Sequence, residues 1–379
     1  MGDGVRPAGW LVLSVLLCAA TFLSCGGGAS GDRASVETHD GLRIVKNPLR
    51  PTSGLTPPSL LEDLVIGASV EAREPISFQG ISDYSSVDVD ASGNIYIADA
   101  AAFAVIVTDS GGRLVRTLGR KGQGPGEFQS LSALRILPGD RLAVYDRMNG
   151  RLSLFDPEGG LAGDTSLVTH PSLFTPQIDS RGNVFGIKLS AKGSFRTMVL
   201  LKISSDGTAS TPLASVTRRL APAGSLALFA TRLDFRLSPN DEVVWGNQTD
   251  YVLHILDRDG RPKARIEKAH EPLEIRDRDI EAELSRRGGR RREEVKVAAP
   301  DHYPPFSMLL VADDGRIFVR IRERTAQGVR FAYDVFDGQG FYLYRMRLPG
   351  TPVLVKAGRL YTLEEDAEGA ILVKRYVME

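Results

Sequence analysis

Residues 116–131, "RTLGRKGQGPGEFQSL", place three glycines and a proline in the five positions from Gly122 to Gly126. A glycine-rich turn can aim backbone N–H groups at a phosphate when it runs from a strand into a helix. Gly122 and Gly124 fit such a fingerprint, but Glu127 stands where its third glycine belongs. The segment that follows, "LSALRILPGDRLAVYD", has no apolar repeat at three-to-four spacing and is broken by Pro138-Gly139, so no helix opens there. The stretch reads as a joint between pieces of sheet. Asp99, Asp146 and Glu364 could supply a carboxylate pair for acid–base work if the fold brought them together. The competing reading of Asp99 and Asp146 is that each ties down its own loop by side-chain to backbone bonds. His39, His170, His254, His270 and His302 show no ligand spacing, and "DVDASGN" lacks the bidentate Glu of a calcium loop. There is no Gly-x-Ser-x-Gly elbow. No metal and no cofactor are expected.

The elements that must position these residues repeat. "VDVDASGNIYIADAAAFAVIVTDSGGRLVRTLG", residues 87–119, reads as a strand, an Asp/Gly turn, two strands and a further Asp/Gly turn into a fourth. Five more copies follow, and across the six the first-turn glycines stand at 93, 139, 182, 315 and 358, with Asn240-Asp241 standing in for the fourth copy. Where no insertion intervenes the period is about 43 to 46 residues, the length of a propeller blade. The sixth copy ends after three strands. Residues 62–72, "EDLVIGASVEA", are β-prone, precede the first copy and have no partner of their own, so they are expected to close the last blade.

The stretch "DASGNIYIADAAAFAVIVTDSGGRLVRTLGRKGQGPGEF" resembles an NHL-type repeat, and the chain from residue 61 resembles the secreted six-bladed β-propellers of bacteria. The resemblance implies an all-β fold of six four-stranded antiparallel blades with residues 61–379 as its domain. It also implies a binding face at the end of the ring where inter-blade links and second-to-third strand loops gather. That face would collect Asp99, Gln123, Glu127, Asp146, Arg147, Lys188, Trp245, Asn247, Arg320, Arg322 and Glu364. Related propellers include lyases and sugar-active enzymes as well as scaffolds. The reading favoured here is a non-enzymatic module that binds an envelope protein or a glycan at the channel mouth. A carboxylate-based enzyme is the alternative.

One segment, residues 274–306, breaks the repeat between copies four and five. Ile280 and Leu284 lie four apart among charges, which predicts a short helix ending near Gly288-Gly289. Five arginines fall within residues 286–292, but acidic residues lie alongside, so a solvated, salt-bridged insertion is expected rather than a nucleic-acid contact.

Forty-seven basic and forty-seven acidic residues cancel, so no overall field draws the chain to nucleic acid. The N-terminus carries an apolar run of about 13 residues, "LVLSVLLCAATFL", suited to a signal segment rather than a membrane span. "FLSCGGGAS" resembles the lipobox of bacterial lipoproteins, which implies cleavage after residue 24, acylation of Cys25 and a place on the envelope, with Gly26 favouring the outer membrane. An ordinary secretory signal is the alternative. Cys18 and Cys25 are the only cysteines, so the mature chain has no internal disulfide to form. Residues 25–60 are rich in Gly, Ser, Thr and Pro and are expected to form a tether to a monomeric propeller.

Overall fold

The computed structural model describes residues 33–67, 76–81, 85–170, 172–287 and 292–379. The signal segment, Cys25, the end of the expected closing strand and Gly288-Gly289 lie outside these residues. Six antiparallel sheets follow one another around a ring: blade 1 (residues 87–118), blade 2 (131–166), blade 3 (174–219), blade 4 (234–268), blade 5 (308–346) and blade 6 (351–378). Their innermost strands touch in cyclic order, the sixth returning to the first. The expected closure is present, since Leu60–Ile66 pairs antiparallel with Ile371–Met378 and supplies the fourth strand of blade 6.

Strand periodicity explains the core. Along Ile95–Asp99 every residue is buried, because Ile95 and Ile97 face blade 6 while Tyr96 and Ala98 face blade 2. Successive side chains leave opposite faces of a strand, so a sheet stacked between two neighbours reads as a continuous apolar run. Each of the six interfaces accordingly holds its own apolar cluster. The first turns join the blades on the polar side. Asp140 accepts from Ala91 N at 3.1 Å, Asp241 from Ser180 N at 2.9 Å, and Asp313 from Ala357 N at 2.7 Å. Asp241 also carries the positive φ, 61°, that glycine supplies in the other copies.

Part of the expected tether is sheet. Ser35–His39 and Leu42–Asn47 form a hairpin whose second strand pairs in parallel with Pro262–Lys268, extending blade 4 to six strands. Asp40-Gly41, both at positive φ, make its turn, and Ile44 and Val45 are buried beneath it. The segment continues across blade 5. The Asn47 side-chain amide donates to Gly340 O at 2.9 Å and accepts from Tyr342 N at 2.8 Å, and Lys268 Nζ donates to Leu49 O at 3.1 Å. The expectation of a free tether failed because the Gly/Ser/Pro content of residues 25–60 outweighed the hairpin signal in "VETHDGLRIVKN".

Candidate functional site

The loop at residues 119–128 cradles its own side chain. Glu127 accepts from Gly124 N at 2.9 Å and from Arg120 Nε at 2.9 Å, and these two bonds hold its carboxyl below the usual range. A Cβ on Gly122 would lie 2.0 Å from the Glu127 carboxylate. Gly119 is pressed against Phe128, which is fully buried between blades 1 and 2. The glycines therefore serve the joint, and Gln123 at its tip is exposed.

The two aspartates expected at the mouth are consumed by the fold. Asp99 accepts from Gln79 N, Gly80 N, Ala101 N and Ala102 N at 2.8 to 3.1 Å. Asp146 accepts from Gln129 N, Ser130 N, Met148 N and Asn149 N at 2.6 to 3.1 Å, and it is 0% exposed. Trp245 is half-buried, packs against the apolar cluster between blades 3 and 4 and stacks on His254 at 4.3 Å. Glu364 accepts from the Tyr376 hydroxyl at 2.7 Å and lies 3.4 Å from Lys374 Nζ. Arg147 sits over the exposed ring of Phe174 at 5.4 Å. No two of the three carboxylates converge on a common partner in any hydrogen bond or ion pair among the described residues.

The channel is likewise self-neutralised. Its cavity of about 220 Å³ is lined by inner strands of all six blades. Asp88 pairs there with Lys356 at 2.7 Å and accepts from Ile136 N at 2.8 Å, while Arg236 pairs with Asp234 at 3.2 Å. Asp234 also accepts from Leu309 N at 2.7 Å, yet complete burial still pushes its carboxyl above the usual range.

Arg322 differs from all of these. In blade 5, Ile317–Thr325 and Gly328–Phe336 are nine residues each, far longer than the four-residue inner strand Met308–Val311. Ile317, Val319 and Ile321 on one face remain in the blade 4 interface. On the other face Arg320, Arg322 and Arg324 follow at every second position, and Arg322 pairs directly across from Phe331. The insertion packs beside this hairpin. Its helix, α1 (Asp277–Arg286), buries Ile280 and Leu284 against Leu228, and Val297–Ala298 pairs in parallel with Leu226–Ala227 from the link between blades 3 and 4. The helix is fastened by Arg324, which donates to Asp279 at 2.9 and 3.2 Å and to Glu274 O at 2.6 Å.

Between helix and hairpin lies a cavity of about 510 Å³, lined by Phe229, Glu283, Tyr303, Arg322, Arg330 and Phe331 among others. Arg322 lies over the rings of Tyr303 at 5.0 Å, Phe331 at 5.2 Å and Phe229 at 5.7 Å. Arg320 covers Phe331 as well, at 4.4 Å. The acids of the cavity are already engaged, Asp279 by Arg324 and Glu283 by Arg286 and Arg287. Among the described residues no carboxylate lies within 4.0 Å of Arg322 or of Arg330. Burial, reinforced by the charge of Arg320, holds the Arg322 guanidinium down to about 10. Such a guanidinium is largely removed from water with no protein carboxylate beside it among the described residues.

A second cationic group stands on blade 3. Arg196 and Arg218 are directly opposed on adjacent strands, and burial followed by the charges of Arg196 and Arg232 lowers the affinity of Arg218 for its proton. Its Nε is buried without a hydrogen-bond partner. Arg232 ends the link that carries Phe229, so residues 229–232 join the two groups. The alternating arginines of "IFVRIRERT" were a legible signal for the blade 5 group. Arg196 with Arg218, and the rings of Phe229, Tyr303 and Phe331, depend on long-range pairing and were missed.

Comparison with known proteins agrees with the architecture. Residues 77–183 match the DUF5128 family, described as a 6-bladed beta-propeller. A presumed exported protein of Bacteroides fragilis superposes with a TM-score of 0.51 at 11% identity, covering 89% of this chain and 99% of its own. A member of the DUF4221 family from Bacteroides vulgatus does so with a TM-score of 0.51 at 9% identity, covering 85% and 99%. At such identities the likeness concerns the fold alone. A search of curated protein sequences finds no match.

Proposed function

We propose that the protein is an exported, non-catalytic propeller of the NHL-repeat type that captures an anionic ligand at the channel mouth. The observation that carries this reading is Arg322, a mostly buried guanidinium held by three aromatic rings, without a carboxylate partner among the described residues, in a cavity of about 510 Å³. The carboxylate-based alternative would need a free pair, whereas Asp99 and Asp146 spend both oxygens on backbone N–H groups and Glu364 is engaged by Tyr376 and Lys374. The lipobox-like "FLSCGGGAS" supports acylation at Cys25 and a monomer held on the envelope by lipid. The cavity then faces molecules of the envelope or its surroundings.

The test is equilibrium binding of a panel of organic and inorganic anions at low ionic strength, with each bound anion recovered and identified afterwards. Unaltered anions whose binding weakens in Arg322→Gln support the reading. Turnover of any of them, or binding indifferent to Arg322, overturns it.

A further inference from the structure

The two cationic groups restrict what the anion can be. Arg322 and Arg330 lie in the cavity beside α1, while Arg196 and Arg218 lie on the strands Phe195–Ile203 and Ser210–Arg219 of blade 3. One short piece of chain, residues 229–232, reaches from the ring under Arg322 to Arg232, whose charge is felt at Arg218. Three residues of chain span about 10 Å at most. A compact anion such as a single phosphate would satisfy one group and leave the other unanswered. An elongated ligand with repeated negative charges would meet both.

The rings decide between kinds of elongated polyanion. Single-stranded nucleic acid is held where bases stack on free aromatic faces. Here Arg320 and Arg322 lie over Phe331, and Arg322 also lies over Tyr303 and Phe229. These guanidiniums compete with a base for the ring faces. A duplex, about 20 Å across by the dimensions of its grooves, does not enter a cavity of about 510 Å³ beneath a helix. What the arginines still offer is the planar fork of N–H donors that fits a carboxylate. Phe331, 46% exposed, and Val329 supply an apolar wall for the carbon skeleton that carries it.

We propose that the mouth binds a short acidic oligosaccharide, with one uronate carboxylate on Arg322 and another at Arg196 and Arg218. This inference rests on the anion-binding reading above and names its ligand class. The opposed pair Arg196 and Arg218 is the part of the structure that most needs it. Like charges directly across a strand pair are destabilising, and a carboxylate between them turns the repulsion into two charge-assisted hydrogen bonds.

The experiment uses the mature full-length chain and four probes at low salt: an oligogalacturonate, its methyl ester, oligothymidylate and inorganic phosphate. Binding is read by calorimetry for the parent, Arg322→Gln and Arg218→Gln, with the melting temperature of each variant recorded to show that it is folded. The expected result is oligogalacturonate binding that weakens about tenfold or more on esterification and in each variant separately. Equal binding of the methyl ester overturns the glycan assignment, as does loss in Arg322→Gln with no change in Arg218→Gln. Tighter, Arg322-dependent binding of oligothymidylate or phosphate also overturns it while leaving the anion-binding reading intact. Binding of none of the charged probes removes both.

Discussion

Arg196 and Arg218 face each other across neighbouring antiparallel strands of blade 3, and Arg218 Nε is buried there without a hydrogen-bond partner. Such a cross-strand like-charge pair costs stability, on the order of 0.2–1 kcal/mol, and the cost is screened by salt. Arg218→Gln should therefore raise the melting temperature at low ionic strength by a degree or more, with the gain shrinking in about 0.5 M salt. An unchanged or lowered melting temperature at low salt would show that Arg218 contributes more by packing than it costs by repulsion.

Asn47 should matter more than its place in the expected tether suggests. It is 5% exposed and bonds both ways to blade 5, through Gly340 O and Tyr342 N. Asn47→Ala leaves a buried N–H and a buried carbonyl without partners, at a cost of about 1–3 kcal/mol. Urea titration of the parent and variant measures it. A difference near zero would mean that residues 33–47 lie on the propeller without stabilising it.

The contrast between Asn47 and Asp146 shows what could be read in advance. Asp146 stands two residues after Val144 at the end of a regular strand, so local pattern sufficed to place it and to raise the loop-tying alternative that the hydrogen bonds bear out. Blade number, first turns and the closing strand were legible for the same reason: each is encoded in a repeat of about 43 to 46 residues. The hairpin carrying Asn47 is a single copy whose partner, Pro262–Lys268, lies more than 200 residues away. Trp245 marks the opposite case: its position at the end of a second strand suggested the mouth, whereas its stacking on His254 and its packing against the blade 3 interface depend on pairing that the local pattern does not show. Arg322 was legible by position, whereas the rings that hold it come from three separate segments.

Asp334 is a buried polar node that ties blade 4 to blade 5. Fully buried, it accepts from the Tyr251 hydroxyl at 2.9 Å, the Tyr342 hydroxyl at 2.8 Å and Arg345 Nε at 2.7 Å, and lies 3.5 Å from the equally buried Lys268 Nζ. Removing one partner of a buried ion pair costs about 3–5 kcal/mol because the other charge is stranded. Asp334→Asn should lower stability by that order and loosen the Lys268 bond to Leu49 O. Proteolysis within residues 47–59 should then accelerate. Loss of stability without faster cleavage would separate the node from the N-terminal strap.

His254 gives the fold an acid-sensitive point beside a reporter. Burial, and then the charge of Arg265, lowers its affinity for a proton below the ordinary value. Above about pH 6.5 the ring is neutral in both states and contributes no pH dependence. As pH falls through that value the unfolded chain takes up a proton first, so the folded state loses ground until its own, lower value is passed. The parent should therefore lose stability between about pH 7 and pH 5 more steeply than His254→Gln. The difference between the two isolates His254 from His270, which burial shifts in the same direction. Trp245, stacked on the imidazole at 4.3 Å, provides the readout through its fluorescence in urea titrations at each pH. Parallel pH profiles for parent and variant would show that this ring is protonated as readily in the folded chain as in the unfolded one.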